Sequence, residues 1–236
     1  MRQAGHSTQI KLLIAVLGCL GWRMVVGETL GDGRQAYLRR DYAKAMRILL
    51  PQAQQGIAKA QILVGRMHLD NAGVKIDVGQ ALMWFQAAAM QGDGEGQVAY
   101  AHMFHNGQGT KRDFAQALRW YNEAALQGDA EAAYELANMY AAGEGTRQDF
   151  TVATRWYHAA AEKKHASAMF RLGVAHAEGR GIVRDYINAY VYLKLAEKFG
   201  VAKARAALNV VTPNLTKKDL ATAKQRIQLW LNGHPA

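Results

Sequence analysis

One spacing constrains this chain more than any other property. The set Asp113, Ala117, Trp120, Tyr121, Ala124 and Gly128 recurs 36 residues earlier as Asp77, Ala81, Trp84, Phe85, Ala88 and Gly92. It recurs 36 residues later as Asp149, Ala153, Trp156, Tyr157 and Ala160, then again as Asp185, Ala189, Tyr192, Leu193, Ala196 and Gly200. No insertion interrupts the series. A fixed period of this length is the mark of stacked supersecondary units, each too small to bury its apolar face alone. Ala-rich runs and helical spacing dominate, and strand signals are weak. The expected fold is all-α, a right-handed superhelical α/α solenoid of helix-turn-helix repeats. Its four units are placed at residues 57–92, 93–128, 129–164 and 165–200.

Each unit reads as two helices. The first carries the columns Ala60, Gly96, Ala132, Ala168 and Val64, Tyr100, Leu136, Leu172, then Gly65, Ala101, Ala137, Gly173. A fourth column is His68, Phe104, Tyr140 and His176. These positions fall on one helical face, and the small residues let neighbouring helices approach closely. Gly107, Gly143 and Gly179, with Asn71 in the same column, suit the left-handed turn that ends a helix. Gly73, Gly109, Gly145 and Gly181 keep the following loop tight. Asp77, Asp113, Asp149 and Asp185 sit where a second helix begins. An Asp there accepts from the free N–H groups of the first turn, and recurrence at every start favours capping over catalysis.

The flanks depart from the pattern. Residues 28–56 read as a degenerate first repeat, with Asp41, Ala45 and Gly56 in phase and Pro51 expected to bend the helix or end its regular bonding. Residues 201–236 read as capping helices. There Thr216 and Asp219 have capping-box spacing, and Leu220, Ala223, Ile227 and Trp230 share one face. Residues 1–27 have the layout of a secretory signal peptide, with Arg2 and Lys11 before an apolar run from Leu12 to Trp22. That run is short for a bilayer span. Cleavage after Gly27 is the expectation. The alternative is lipidation at Cys19, the only cysteine, in a lipoprotein-like box. Either way the chain is expected to be exported, to the periplasm or envelope, without an internal disulfide.

Charge is unevenly placed. The whole chain carries +10, of which the leader supplies +3 and residues 28–58 supply +2. Residues 59–193 hold thirteen bases and fourteen acids, whereas residues 194–236 hold eight bases and two acids. Basicity therefore belongs to the C-terminal end, not to the repeats.

The stretches Leu136-Ala137-x-x-Tyr140-x-x-Gly143-x-Gly145 and Ala153-x-x-Trp156-Tyr157-x-x-Ala160-Ala161 resemble the Sel1-like repeat, a relative of the tetratricopeptide repeat. The resemblance spans roughly residues 30–208. Departures are Lys164 for the closing Gly, Tyr192-Leu193 for Trp-Tyr, and His68 and His176 for Tyr. The resemblance implies an adaptor or scaffold. Exported bacterial members of that family take part in polysaccharide export, envelope assembly and host interaction. A cysteine-rich branch acts on penicillin-type compounds, and its repeat-closing Cys pairs are missing here. Fold resemblance alone assigns no activity.

Direct signs of chemistry are sparse. No phosphate loop, His-Glu-x-x-His or metal-type cysteine cluster occurs. Ser167 is the one serine after the leader, better read as a helix cap than a nucleophile. His102 and His105 are spaced to chelate but lack a third ligand. Trp84, Trp120 and Trp156 read as core packing between helices rather than a stacking ladder. No enzyme activity, cofactor, metal or nucleic-acid partner is expected.

One helical stripe stays variable while the core columns repeat. It reads Lys59, Leu63, Arg66, Asp70; Glu95, Ala99, His102, Asn106; Glu131, Glu135, Asn138, Ala142; Ser167, Arg171, Val174, Glu178. Within it Arg66, Asp70, His102, Asn106, Glu135, Asn138, Arg171 and Glu178 are the candidate partner-reading side chains, and a merely solvated face is the alternative. The expected function is a non-enzymatic scaffold or adaptor with a protein partner. A second class is a binding module for an anionic glycan or membrane surface through Lys194, Lys198, Lys203, Arg205, Lys217, Lys218, Lys224 and Arg226. A third, a lactam or cell-wall hydrolase, is disfavoured by the missing nucleophiles.

Overall fold

The computed structural model describes residues 28–70 and 72–233. The expected leader, Cys19 included, and the helix-ending Asn71 lie outside them. The described residues form helices in strict succession. They are α1 (Leu30–Leu38), α2 (Tyr42–Gln54), α3 (Ala58–Leu69), α4 (Val78–Ala89), α5 (Gly94–Asn106) and α6 (Phe114–Leu126). Then come α7 (Ala130–Ala142), α8 (Phe150–Glu162), α9 (Ala166–Glu178), α10 (Tyr186–Lys198), α11 (Lys203–Val211) and α12 (Lys217–Gly233). Each helix packs mainly on the next in sequence. This is the α/α solenoid that the period predicts. Among the described residues no helix is long and apolar enough to cross a membrane.

Local chemistry explains the element ends. Asp77, Asp113, Asp149 and Asp185 each accept a hydrogen bond from the backbone N–H three residues on, at 2.9, 3.0, 3.0 and 2.9 Å. Each such cap contributes about 1 kcal/mol. The starts of α5 and α7 are capped in the same way by Asp93 and Asp129. The start of α9 is capped by His165, whose Nδ1 accepts from the Ala168 N–H at 3.1 Å. Ser167, the expected cap, is instead the second residue of α9. Thr216 and Asp219 form the expected capping box at 3.2 and 2.9 Å, and Thr29 and Asp32 form a second at the start of α1. Pro51 neither ends nor interrupts α2, which runs on to Gln54. Its ring removes the one N–H that would bond the Arg47 carbonyl, and the helix continues past that single loss.

The glycine columns split by role. Gly107, Gly143 and Gly179 cap their helices in the left-handed conformation. The second column joins neighbours as well as tightening a loop. A Cβ at Gly145, with φ of +69°, would stand 2.5 Å from the Phe114 carbonyl oxygen of the preceding unit. Gly109 and Gly181 meet Val78 and Phe150 in the same way.

The tryptophans pack against the core as their recurrence predicts, at its edge. Phe85, Tyr121, Tyr157 and Leu193 are buried, with Tyr121 fully enclosed, whereas the tryptophans one residue earlier are only half-buried. Trp120 meets the edge of Tyr100 at 5.3 Å and sits at the rim of the helix joint. The small column lets these rings seat, since a Cβ at Gly65 would clash with Phe85 and one at Gly173 with Leu193. At the C-terminal end α12 packs on α10, burying Ala223 fully and Leu220, Ile227 and Trp230 in part.

Candidate binding site

The variable stripe lies on the first helices of the units. Next-but-one helices meet as first helices at α1 with α3, α3 with α5 and α9 with α11, while the capping α12 returns to a second helix, α10. Shorter separation on that side sets the inside of the curve. Asp70, Asn106, Arg171 and Glu178 are exposed there, and Arg66, His102, Glu135 and Asn138 are half-buried.

Much of the stripe is wired internally. Tyr157 donates to Asn138 Oδ1 at 2.7 Å, and Tyr121 lies 2.7 Å from His102 Nδ1, the same bond one unit earlier. Burial pushes the Tyr157 phenol up to about 12 and raises that of Tyr121 further. Both therefore stay protonated, and Tyr157 serves as the donor to Asn138. Burial also lowers the His102 imidazole, opposed by Glu135 and Glu131. In the outer units the same pair of columns holds Arg66 with Phe85 and Val174 with Leu193, so no such bond forms. In the two middle units the stripe is thus tied to the buried ring beneath it, whereas Arg66 turns to Glu95.

Bonds between units change their residues from joint to joint, although Glu131 and His165 stand in the columns of Lys59 and Asp93. The first joint is held by Lys59 to Asp93 and Glu95, both at 3.1 Å, and by Arg66 to Glu95 at 2.8 Å. The second uses His105 to Glu144 at 2.9 Å, and the third His165 to Glu131 at 3.0 Å. The His165 hydrogen bond holds the Glu131 carboxyl below its usual range, against the opposing effect of burial. His102 and His105 accordingly serve different partners rather than a common ion. Among the described residues no group of three His, Cys, Asp or Glu converges as a metal site.

A groove of about 470 Å³ opens on this face across α3, α5 and the start of α7. Leu69, Phe85, Val98, Ala99 and Met103 line its apolar part. Arg66, Asp70, Glu95, His102, Asp129 and Glu131 supply its charged and polar part. The structure thus brings Arg66, Asp70 and His102 of the expected set together. Glu135 and Asn138 bond to each other at 3.2 Å further along, and Asn106, Arg171 and Glu178 lie outside the groove. Asp129 and Gln108 were not legible as site residues, because one occupies a cap column and the other a loop.

The expected C-terminal basic cluster is smaller than its sequence suggests. Lys194 and Arg205 both hold Glu197, at 2.6 and 3.3 Å, and Arg226 donates to Asn188 at 2.7 Å. Lys198, Lys203, Lys217, Lys218 and Lys224 are exposed and make no ion pair among the described residues.

Comparison with known proteins follows the geometry. The sequence profile described as the Sel1 repeat matches residues 58–93, 94–129, 130–165 and 166–198, more than half of the chain. A Sel1 repeat protein from Oxalobacter formigenes has a similar structure, with TM-score 0.70 and 27% identity over 76% of this chain and 74% of that one. A protective antigen of uropathogenic Escherichia coli with an SLR fold shares 24% identity at TM-score 0.53, over 86% of this chain and 52% of that one. The latter likeness concerns the fold alone. No curated protein matches the chain.

Proposed function

The chain belongs to the Sel1 repeat family, whose members serve in general as protein-interaction scaffolds, and from that premise we propose that it is an exported, non-enzymatic scaffold or adaptor of the bacterial envelope. The observation that carries the binding part is the inner stripe of first helices. Its contents change from unit to unit while the core columns repeat, and it opens into a groove with both apolar and charged walls. A solenoid offers its partner such a continuous curved face. The partner is a protein held along Arg66, Asp70, His102, Asn106, Glu135, Asn138, Arg171 and Glu178. Export is supported by the signal-peptide layout of residues 1–27, and the mass of the mature N-terminus distinguishes Glu28 from a lipidated Cys19.

Affinity capture from envelope extracts tests the reading. Wild-type protein should retain a defined partner, and joint charge reversal at Arg66 and Glu135 should release it at least tenfold. Retention of every captured protein by that variant rejects the inner face as the binding surface.

A further inference from the structure

The groove is a local irregularity in the stripe rather than a general property of it. One column of the inner face holds Leu63, Ala99, Glu135 and Arg171. Only Ala99 is small, so the surface has a notch where each neighbouring unit carries a larger side chain. The notch floor is apolar, from Val98, Ala99 and Met103 with Leu69 and Phe85 beside them.

Carboxylates dominate the walls. Asp70, Glu95, Asp129 and Glu131 face the groove against the single strong base Arg66. Glu95 already holds Arg66 and Lys59. Asp129 is turned to the backbone as a cap, and Glu131 accepts from His165. Asp70 is exposed at the end of α3 and makes no ion pair among the described residues. An aliphatic floor under an acidic rim suits a side chain with an apolar stem and a cationic head, which buries the stem and keeps the charge at the edge. An acidic side chain would meet like charge on the same rim, a stronger repulsion because the groove is partly withdrawn from water.

We propose that the notch at Ala99 takes a lysine or arginine side chain from an extended segment of the partner protein, its stem over Ala99 and Met103 and its charge toward Asp70 and Glu131. The proposal rests on the reading of the inner face as a protein-binding surface and adds the partner's chemistry to it. Ala99 admits the stem, and the acidic rim selects the sign of the head.

An array of randomised dodecapeptides, probed with the full-length chain, tests this. The expected result is enrichment of Lys or Arg over Glu at one position by at least tenfold. Ala99→Leu, which places the Leu63 side chain type in the notch, should bring that enrichment to parity. Should Ala99→Leu fail to fold, Asp70→Lys at the exposed rim should do the same. Enrichment of acidic or purely apolar residues, no enrichment at all, or basic enrichment that survives both substitutions overturns the proposal. The envelope capture separates the two readings. A partner lost on charge reversal at Arg66 and Glu135, yet kept by Ala99→Leu and Asp70→Lys, leaves the inner face standing and removes the notch.

Discussion

At the scale of single residues, a bond from a buried ring ties the inner face to the core in the two middle units. Tyr157 reaches Asn138 at 2.7 Å from a buried position. Tyr157→Phe should cost about 1 kcal/mol in urea denaturation, since Asn138 is half-exposed and water replaces the lost donor. One half-buried and one buried histidine give stability a pH dependence of definite sign. Burial holds His102 and His176 below their ordinary value of 6.5. Between that depressed folded value and 6.5 the unfolded chain binds more protons, so stability rises with pH through this window. It is lost as pH falls from about 6.5 downward. His176 is stacked on Tyr192 with its Nδ1 buried and unbonded, in a column that accepts Phe104 and Tyr140. His176→Phe should therefore flatten the acid side of the profile, measured as urea midpoints at pH 7.5 and 5.5. A steeper fall in the variant would show that His176 is not among the groups responsible.

At the scale of elements, the joints depend on close backbone approach. Gly145→Ala adds a Cβ against the Phe114 carbonyl and forces an L-residue to φ of +69°. The expected cost is about 2–4 kcal/mol, from left-handed strain plus a clash that rigid backbone cannot relieve. Gly94→Ala is the control, because a Cβ there meets nothing within 4 Å, and its thermal midpoint should match wild type closely. These contacts show where a sequence can be read and where it cannot. The Asp caps and helix-ending glycines are written in neighbouring residues, so Asp113 and Gly143 could be assigned from local chemistry alone. The partner of Gly145 lies in the preceding unit, and the period gives no offset between units. The same blindness hid the pairing of Arg66 with Glu95, which turns two apparent binding residues partly toward each other. It also left open which ring of the pair Trp120 and Tyr121 is enclosed, since both stand in repeating columns and only the helix rotation decides between them. His165 was not legible as a cap because an imidazole nitrogen acts there in place of a carboxylate.

At the scale of the whole molecule, stability is close to a sum over units and joints, so the ends matter disproportionately. Truncation after Asn214 removes α12 and uncovers its seat on α10. The thermal midpoint should fall on the order of 5–10 °C, and hydrogen-exchange protection should decline first in α10 and last in α3. Equal loss at both ends would indicate a single cooperative block. The non-repeating joints have a further consequence for assembly. Units with the same period and nearly the same core could dock one place out of step and still bury their apolar columns. Each interface here carries a different pair, Lys59 and Arg66 with Glu95, His105 with Glu144, His165 with Glu131. A one-unit slip would set His105 opposite Arg180 in place of Glu144, whereas Lys59 and Arg66 would still meet acids, Asp129 and Glu131. The middle joint thus acts as an address: the core says that two units belong together, and its polar pair says which is next.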